Sequence, residues 1–392
     1  MPSSLKAKLD LMSKGKPVLN ENRSAAEEIC TTYTARVPLE HIRRDYSRAV
    51  FGDLLMQNAH KVFRHSPVFN YEIKDMVFFD TETTGLSHGA GTLAFLIGLG
   101  YFHEGDFFVE QFLMKDYCQE KDMLEKLADK LSGFQIAISF NGKSFDAPII
   151  GTRSVINRMM QPVDRLIHWD LLHPSRRLYK ARLQSCSLKS IESNILGFER
   201  EGDIPGAEIP EIFFSYVKYN DQKLMDVVVK HNRLDIISLL ALTAHLCSLY
   251  NNPEMIENPS DMFSMARIYE QDGHCDMARQ CYLNCCSEVR EASLRLAFLY
   301  KRSLEIQNAI DFFNMYSSSN GFSPMPDIEI SKLYEHQILD YRSALLYAEK
   351  ARQKVLNQGV LIRNRHELES VNNRINRIKS KMHGKAGLTN GG

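Results

Sequence analysis

From residue 74 onward the chain changes from polar, weakly periodic sequence to short apolar runs broken by turn residues. MVFFD (76–80), LAFLIGLGYF (93–102) and FFVEQFL (107–113) are rich in Phe, Leu, Val and Ile, and HEGD separates the last two, so they predict three strands in a meander. EKDMLEKLADKL (120–131) instead places apolar residues at 123, 124, 127 and 131, which is helical spacing. QIAISF (135–140) reads as a buried strand, SFDAPIIGTRSVINRM opens a helix, and RLIHWDLL (165–172) reads as another strand. Residues 185–249 look mainly helical around a Pro/Gly loop at DIPGAEIP (203–210). The first 70 residues carry mixed charge without a sharp period and predict a mobile start followed by helical packing.

Beyond NNPEMIENPS (251–260), which reads as a linker, the pattern repeats. ARIYEQDGHCDMARQCY, LAFLYKRSLEIQNAIDFF and ISKLYEHQILDYRSALLYAEKA align on Tyr269, Tyr300 and Tyr334 and on Ala278, Ala309 and Ala344, with steps of 31 and 34 for Tyr and 31 and 35 for Ala. A period near 34 with small residues at helix contacts is the tetratricopeptide signature of stacked helix pairs. The domain plan is therefore an extension over 1–70, an α/β domain over 71–250, a linker over 251–260, helical repeats over 261–382 ending in a basic helix, and a disordered tail over 383–392.

Composition adds bounds. At 392 residues, 44% apolar and 24% charged, the chain is an ordinary globular protein of two or three domains, neither collagen-like nor wholly disordered. Its 48 basic and 48 acidic residues cancel, which argues against a nucleic-acid coat protein. The zero is an average: residues 350–392 hold ten Lys and Arg against two Glu, a net +8, so the rest is at −8. Leu368, Val371, Ile375, Ile378 and Met382 mark an apolar stripe in that tail, predicting a helix that caps the repeats and turns a basic face outward. The basic start lacks an apolar core, and no run approaches the ~18 apolar residues of a membrane span, so a cytoplasmic address without membrane attachment is expected. Eight cysteines without a regular framework read as reduced thiols.

Four acids stand out. Asp80 and Glu82, in FDTETTGL, alternate along a strand and so project to one face, roughly 7 Å apart. Asp146, in NGKSFDAP, lies where a strand gives way to a helix. His231 and Asp235, in HNRLD, are four apart and share a helix face at roughly 5–6 Å. Converging carboxylates need compensating charge. Magnesium or manganese suits hard oxygen donors, and two such ions can activate water and neutralise a departing phosphodiester oxygen. His231 would then act as general base.

FDTETTGL, NGKSFD and HNRLD, in that order, resemble the three motifs of the DEDD (DnaQ-like) 3'-5' exonuclease superfamily. With TTGLSHGAGT, WDLLHPSRRL, SCSLKSIE, DIPGAEIP and KHNRLDIISLLAL ahead of the repeats, the chain over about 70–350 looks like the bacterial YprB-type family. The resemblance implies an α/β RNase H-like domain, with a mixed sheet made of a three-strand meander followed by αβαβ, joined to an all-α tetratricopeptide-like module. It implies a metal-dependent exonuclease acting on nucleic acid and releasing nucleoside monophosphates. On the motifs, Asp80, Glu82 and Asp235 would hold one divalent cation, Mg2+ or Mn2+, and Asp80 with Asp146 a second. Thr83, Leu86, Asn141 and Phe145 would line the terminal nucleotide. One departure stands: the third motif has His231 at the spacing usual for tyrosine.

Two rivals follow from the same residues. A nuclease-like scaffold could bind nucleic acid, or a protein partner through its repeats, without catalysis; an RNase H-type endonuclease could use the same acids. Among other candidates, PSRRLYKAR (174–182) could track a phosphate backbone or be a solvated face. Cys275, Cys281, Cys285 and Cys286 with His274 lack a paired zinc arrangement and read as buried thiols. Trp169 reads as core and Asp170 as a strand-end cap.

Overall fold

The computed structural model describes residues 29–52, 59–64, 71–85, 91–319, 322–358 and 362–389. It divides into two compact units, one made of Met1–Leu171 with Ile191–Ala244 and the other of Leu172–Ser190 with His245–Gly392.

The first unit is built on a six-stranded mixed sheet. In chain order its strands are β1 (Thr31–Val37), β2 (Met76–Thr83), β3 (Ala94–His103), β4 (Asp106–Leu113), β5 (Ile136–Ser139) and β6 (Ile167–Asp170). Their spatial order is β1-β4-β3-β2-β5-β6. The meander pairs antiparallel, and β5 and β6 continue the sheet in parallel from β2. This is the predicted RNase H-like arrangement, with one addition. β1 lies in the stretch expected to be mobile and then helical, yet TTYTARV alternates intermediate and exposed positions and pairs antiparallel with β4. Its period of two, with Thr, Tyr and Val, suits a half-covered edge strand. The expected mobile start over 1–28 lies outside the described residues.

Helices α1 (Leu39–Asp45) and α2 (Ala59–Phe63) follow β1; α3 (Glu120–Leu131) and α4 (Asp146–Ile156) flank β5. The apolar positions foreseen for α3, Met123, Leu124, Leu127 and Leu131, are all buried in the main core with Phe95, Phe112 and Phe213. Trp169 is buried as expected and stacks on Phe63 at 4.7 Å. Helix α5 (Leu172–Tyr179) belongs to the second unit. Helix α6 (Leu188–Ile191) runs into a π-helical turn over Glu192–Leu196, and α7 (Ile209–Tyr219) precedes the 30-residue α8 (Gln222–Asn251). By length and hydropathy α8 could span a bilayer, but 78% of its most apolar window is buried within the protein, as in a core helix.

In the second unit, helices pair at the predicted period: α9 (Pro259–Gln271) with α10 (Cys275–Cys285), α11 (Arg290–Arg302) with α12 (Ile306–Ser319), and α13 (Met325–Leu333) with α14 (Tyr341–Asn357). Ala278, Ala309 and Ala344 are fully buried, each on the second helix of its pair, where a small side chain lets helices approach. Helix α15 (Ile362–Thr389) buries Val371, Ile375 and Ile378 against Ala344, Ala348 and Ala351, as its apolar stripe predicts. It also runs through most of the tail expected to be disordered, and residues 390–392 lie outside the described residues. Three of its cations have a partner in the repeats: Arg374, Arg377 and Lys381 reach the fully buried Glu335 at 2.7–2.9 Å, the last two with side chains still 48% and 37% exposed, and so compensate a buried charge that would be costly alone. In PSRRLYKAR, Arg182 is likewise committed to Asp261 at 2.6 Å and is no open phosphate contact. Cys281 and Cys285 are buried, which pushes both thiols up to about 12, whereas Cys275 is exposed.

Candidate active site

The site is assembled in the first unit from β2, the β5–α4 turn and α8. Strand β2 carries Asp80 and Glu82 two residues apart, so the pleat sends both the same way. Asp80 stands opposite Gly98 of β3. That glycine leaves space for the fully buried Asn232, whose amide donates to Asp80 Oδ2 at 2.9 Å and to the Asp80 carbonyl at 3.3 Å. Gln111 of β4 completes the chain by donating to Asn232 Oδ1 at 2.8 Å. A side-chain amide relay from β4 through α8 thus fixes the first acid on β2.

Asp146 is the first residue of α4. The turn before it is tight: Asn141 has φ of 65°, a left-handed conformation that Asn tolerates better than most residues. The Asn141 N–H donates to Asp170 at 2.8 Å, so Asp170 caps the turn from β6, as its sequence position suggests. A Cβ on Gly142 would lie 2.5 Å from Ser139 Oγ and 2.9 Å from Asp146 Oδ2. Asp146 Oδ1 accepts from the Thr81 N–H at 3.1 Å and from the Thr81 hydroxyl. Burial pushes the Asp146 carboxyl up to about 6, with the Thr81 hydrogen bonds opposing that rise.

Helix α8 supplies His231, Asn232 and Asp235. His231 Nδ1 is 2.6 Å from Asp203 Oδ1, and Nε2 is 3.4 Å from Asp235 Oδ2 and 3.9 Å from Glu82 Oε1. The other Asp235 oxygen pairs with Arg200, a side chain only 3% exposed that also binds Glu192 through two nitrogens and lies 3.5 Å from Asp203. Burial opposes the Arg200 charge, but hydrogen bonds and the charges of Glu192 and Asp235 hold its pKa above the usual guanidinium value. Asp203 stays below the usual carboxylate range despite burial, through its hydrogen bond with His231 and the nearby Arg200. Glu192 begins the π-helical turn and also accepts from Ser238.

Electrostatics tie the acids together. Burial drives Asp80 well above the usual range, and the charges of Asp235, Glu82 and Asp146 push it further. Glu82 is raised by burial and then by Asp235 and Asp146, with Arg200 opposing. Among the described residues, Glu82, His231 and Asp235 offer ligand atoms all within 4.8 Å of one another. Asp80 and Asp146 stand outside that trio, tethered to Asn232 and Thr81.

The expected nucleotide-lining residues are placed variously. Thr83 turns its hydroxyl onto the Gly85 carbonyl at 2.8 Å, Phe145 is 39% exposed beside Asp146, and Asn141 shapes the turn. Leu86 lies outside the described residues. A cavity of about 670 Å³ adjoins α4, lined among others by Lys143, Pro148, Thr152, Val155 and His168, and none of the four acids lines it. Sequence reasoning missed Arg200, Asp203, Glu192, Asn232 and Thr81. Asn232, beside His231 in the motif, and Asp203, at the head of DIPGAEIP, sit in segments already singled out; nothing in the local pattern marks Arg200.

The chain is similar to known proteins over part or most of its length. Residues 77–247 match the RNase_H superfamily. The chain is 27% identical over 366 residues to the uncharacterized protein YprB of Bacillus subtilis strain 168, covering 91% of this chain and 87% of that one. A family B DNA polymerase from the hyperthermophilic archaeon Pyrobaculum calidifontis aligns over 53% of this chain and 30% of its own length, at 14% identity and a TM-score of 0.36. The match to the RNase_H superfamily is thus to one domain of the chain, over residues 77–247.

Proposed function

We propose that the chain is a divalent-metal-dependent exonuclease that removes nucleoside monophosphates from the 3' end of nucleic acid. One observation carries this reading: Asp80, Glu82, Asp146 and Asp235, from a strand and two helices, converge in one buried site, where the charges of the other three add to burial in raising Asp80 and those of Asp235 and Asp146 do the same for Glu82. Arg200 is committed to Asp235, Glu192 and Asp203, and among the described residues the side-chain hydrogen-bond partners of Asp80 and Asp146 are the neutral Asn232 and Thr81. Such a donor set fits Mg2+ or Mn2+, the hard cations that carboxylates select. Bound there, these ions would lower the pKa of an attacking water and offset charge on the departing oxygen. The chain's own residues prepare the place: Asn232 orients Asp80, Thr81 orients Asp146, and Arg200 holds one oxygen of Asp235. Phe145, exposed beside Asp146, offers an aromatic face to a terminal base, with Thr83 and Asn141 around the same nucleotide and Leu86 assigned to it by the motif resemblance alone. The 3' polarity is what the resemblance of FDTETTGL, NGKSFD and HNRLD to the DEDD exonuclease motifs implies. The helical repeats, read as tetratricopeptide-like, would serve a protein partner, in a cytoplasmic setting.

The test is hydrolysis of end-labelled single- and double-stranded DNA and RNA with Mg2+ or Mn2+, beside a circular substrate and Asp80→Asn. Mononucleotides released from 3' ends, an intact circle and an inactive variant are expected. Cleavage of the circle would assign an endonuclease instead, and full activity in Asp80→Asn would remove the site.

A further inference from the structure

His231 has one ring nitrogen engaged by Asp203 and the other turned toward the acids. A carboxylate near neutrality only accepts hydrogen bonds, so the 2.6 Å contact with Asp203, much shorter than the 3.5 Å approach of Arg200 Nη1, assigns Nδ1 as the donor. In that tautomer the lone pair lies on Nε2. That atom stands 3.4 Å from Asp235 and 3.9 Å from Glu82, beyond the about 2.7–3.2 Å of a good hydrogen bond.

Those separations suit another purpose. Donor atoms about 2.1 Å from one ion stand roughly 3.0 Å apart when adjacent in an octahedron and roughly 4.2 Å when opposite. The three ligand atoms of Glu82, His231 and Asp235 lie within 4.8 Å of one another, so a small contraction would bring all three onto one ion. Arg200 engages Asp235 Oδ1, while Oδ2 is the oxygen nearer His231. The carboxylate behind the ring nitrogen that faces away is the arrangement that fixes tautomer and orientation in metal-bound histidines.

We propose that His231 binds the metal through Nε2 together with Glu82 and Asp235, and that Asp203 is its positioning residue. His231 therefore leaves the role of general base that the motif resemblance implies. This rests on the metal-dependent reading above and sharpens it: a nitrogen among carboxylates favours Mn2+ and later first-row divalent ions over Mg2+.

The experiment is pulsed electron paramagnetic resonance of the full chain with Mn2+, with and without 15N-histidine, alongside calorimetric Mn2+ and Mg2+ titrations. A histidine nitrogen coupling is expected in the wild type and lost in His231→Gln. Asp203→Asn, which keeps the imidazole, should weaken Mn2+ binding about 10- to 100-fold. The ratio of Mn2+ to Mg2+ affinity should fall in His231→Gln. Mn2+ bound in the wild type without nitrogen coupling overturns the ligand assignment and leaves the nuclease reading standing; no divalent binding at all overturns both. If His231→Gln does not fold, the labelled wild-type spectrum decides alone.

Discussion

Gly98 and Asn232 fit together only because the glycine has no side chain: a Cβ there would stand 2.2 Å from Asn232 Oδ1. Gly98 faces Asp80 across the β2–β3 ladder, so the same close approach that admits Asn232 also tethers the acid. Gly98→Ala should therefore push Asn232 aside, cost about 1–3 kcal/mol as an overpacked core, and lower metal-dependent hydrolysis by loosening Asp80. Chemical denaturation and the end-labelled assay measure the two effects separately. Wild-type behaviour in both would show that Asn232 does not need this space.

Arg200 balances Glu192, Asp203 and Asp235 while almost wholly buried. Removing one partner of a buried ionic network leaves its counter-charges uncompensated, at about 3–5 kcal/mol. Arg200→Met should lose stability on that scale in urea unfolding without metal. A divalent cation should recover part of it, because the freed Asp235 oxygen gains a new partner.

Crowded, buried carboxylates also destabilise the metal-free fold, since burial and neighbouring charge both disfavour an ionised Asp80. Adding Mn2+ should raise the melting temperature and EDTA should reverse it; saturation at 100 times Kd contributes about 2.7 kcal/mol. Asp80→Asn should melt higher than the wild type in EDTA and gain less from Mn2+. A variant that melts lower in EDTA would show that the acid's hydrogen bond to Asn232 outweighs the repulsion.

In the second unit, burial would raise Glu335, but hydrogen bonds from Arg377 and Lys381 hold it down to about 2. A carboxylate with a depressed folded-state pKa stabilises the fold fully above its unfolded pKa, near 4.5, and that contribution is lost as pH falls from there toward 2. Glu335→Gln should cost about 1–3 kcal/mol at pH 7, less than a fully buried pair because Arg377 and Lys381 can turn to water. It should also flatten the acid limb of the pH–stability curve in that window. An unchanged acid limb would locate the acid sensitivity elsewhere.

Much of this protein is legible locally. Period-two and period-3.6 patterns mark β2 to β6 and α3, because each element must bury one face or stripe, and Tyr269, Tyr300 and their counterparts mark the helix pairs by recurrence. Asp80, Glu82, Asp146, His231 and Asp235 are legible because each sits in a short motif. β1 is obscured by the mixed charge of the sequence around it and by its own few apolar residues, since a half-exposed edge strand buries no full face. Counting charge along the basic helix does not say where a side chain turns, and the ion pairs of Arg374, Arg377 and Lys381 with Glu335 are visible only in the packing.

What only the tertiary structure decided is the environment of the acids. Asn232 reaches Asp80 from 152 residues away in the chain, Thr81 meets Asp146 from 65 away, and Arg200 joins Asp235 from 35 away. Burial and mutual charge depend on distances in space, so the sequence by itself determined which carboxylates and which imidazole were present. The packing of α8 against β2, β3 and β4 decided how strongly they interact and where Nε2 of His231 points.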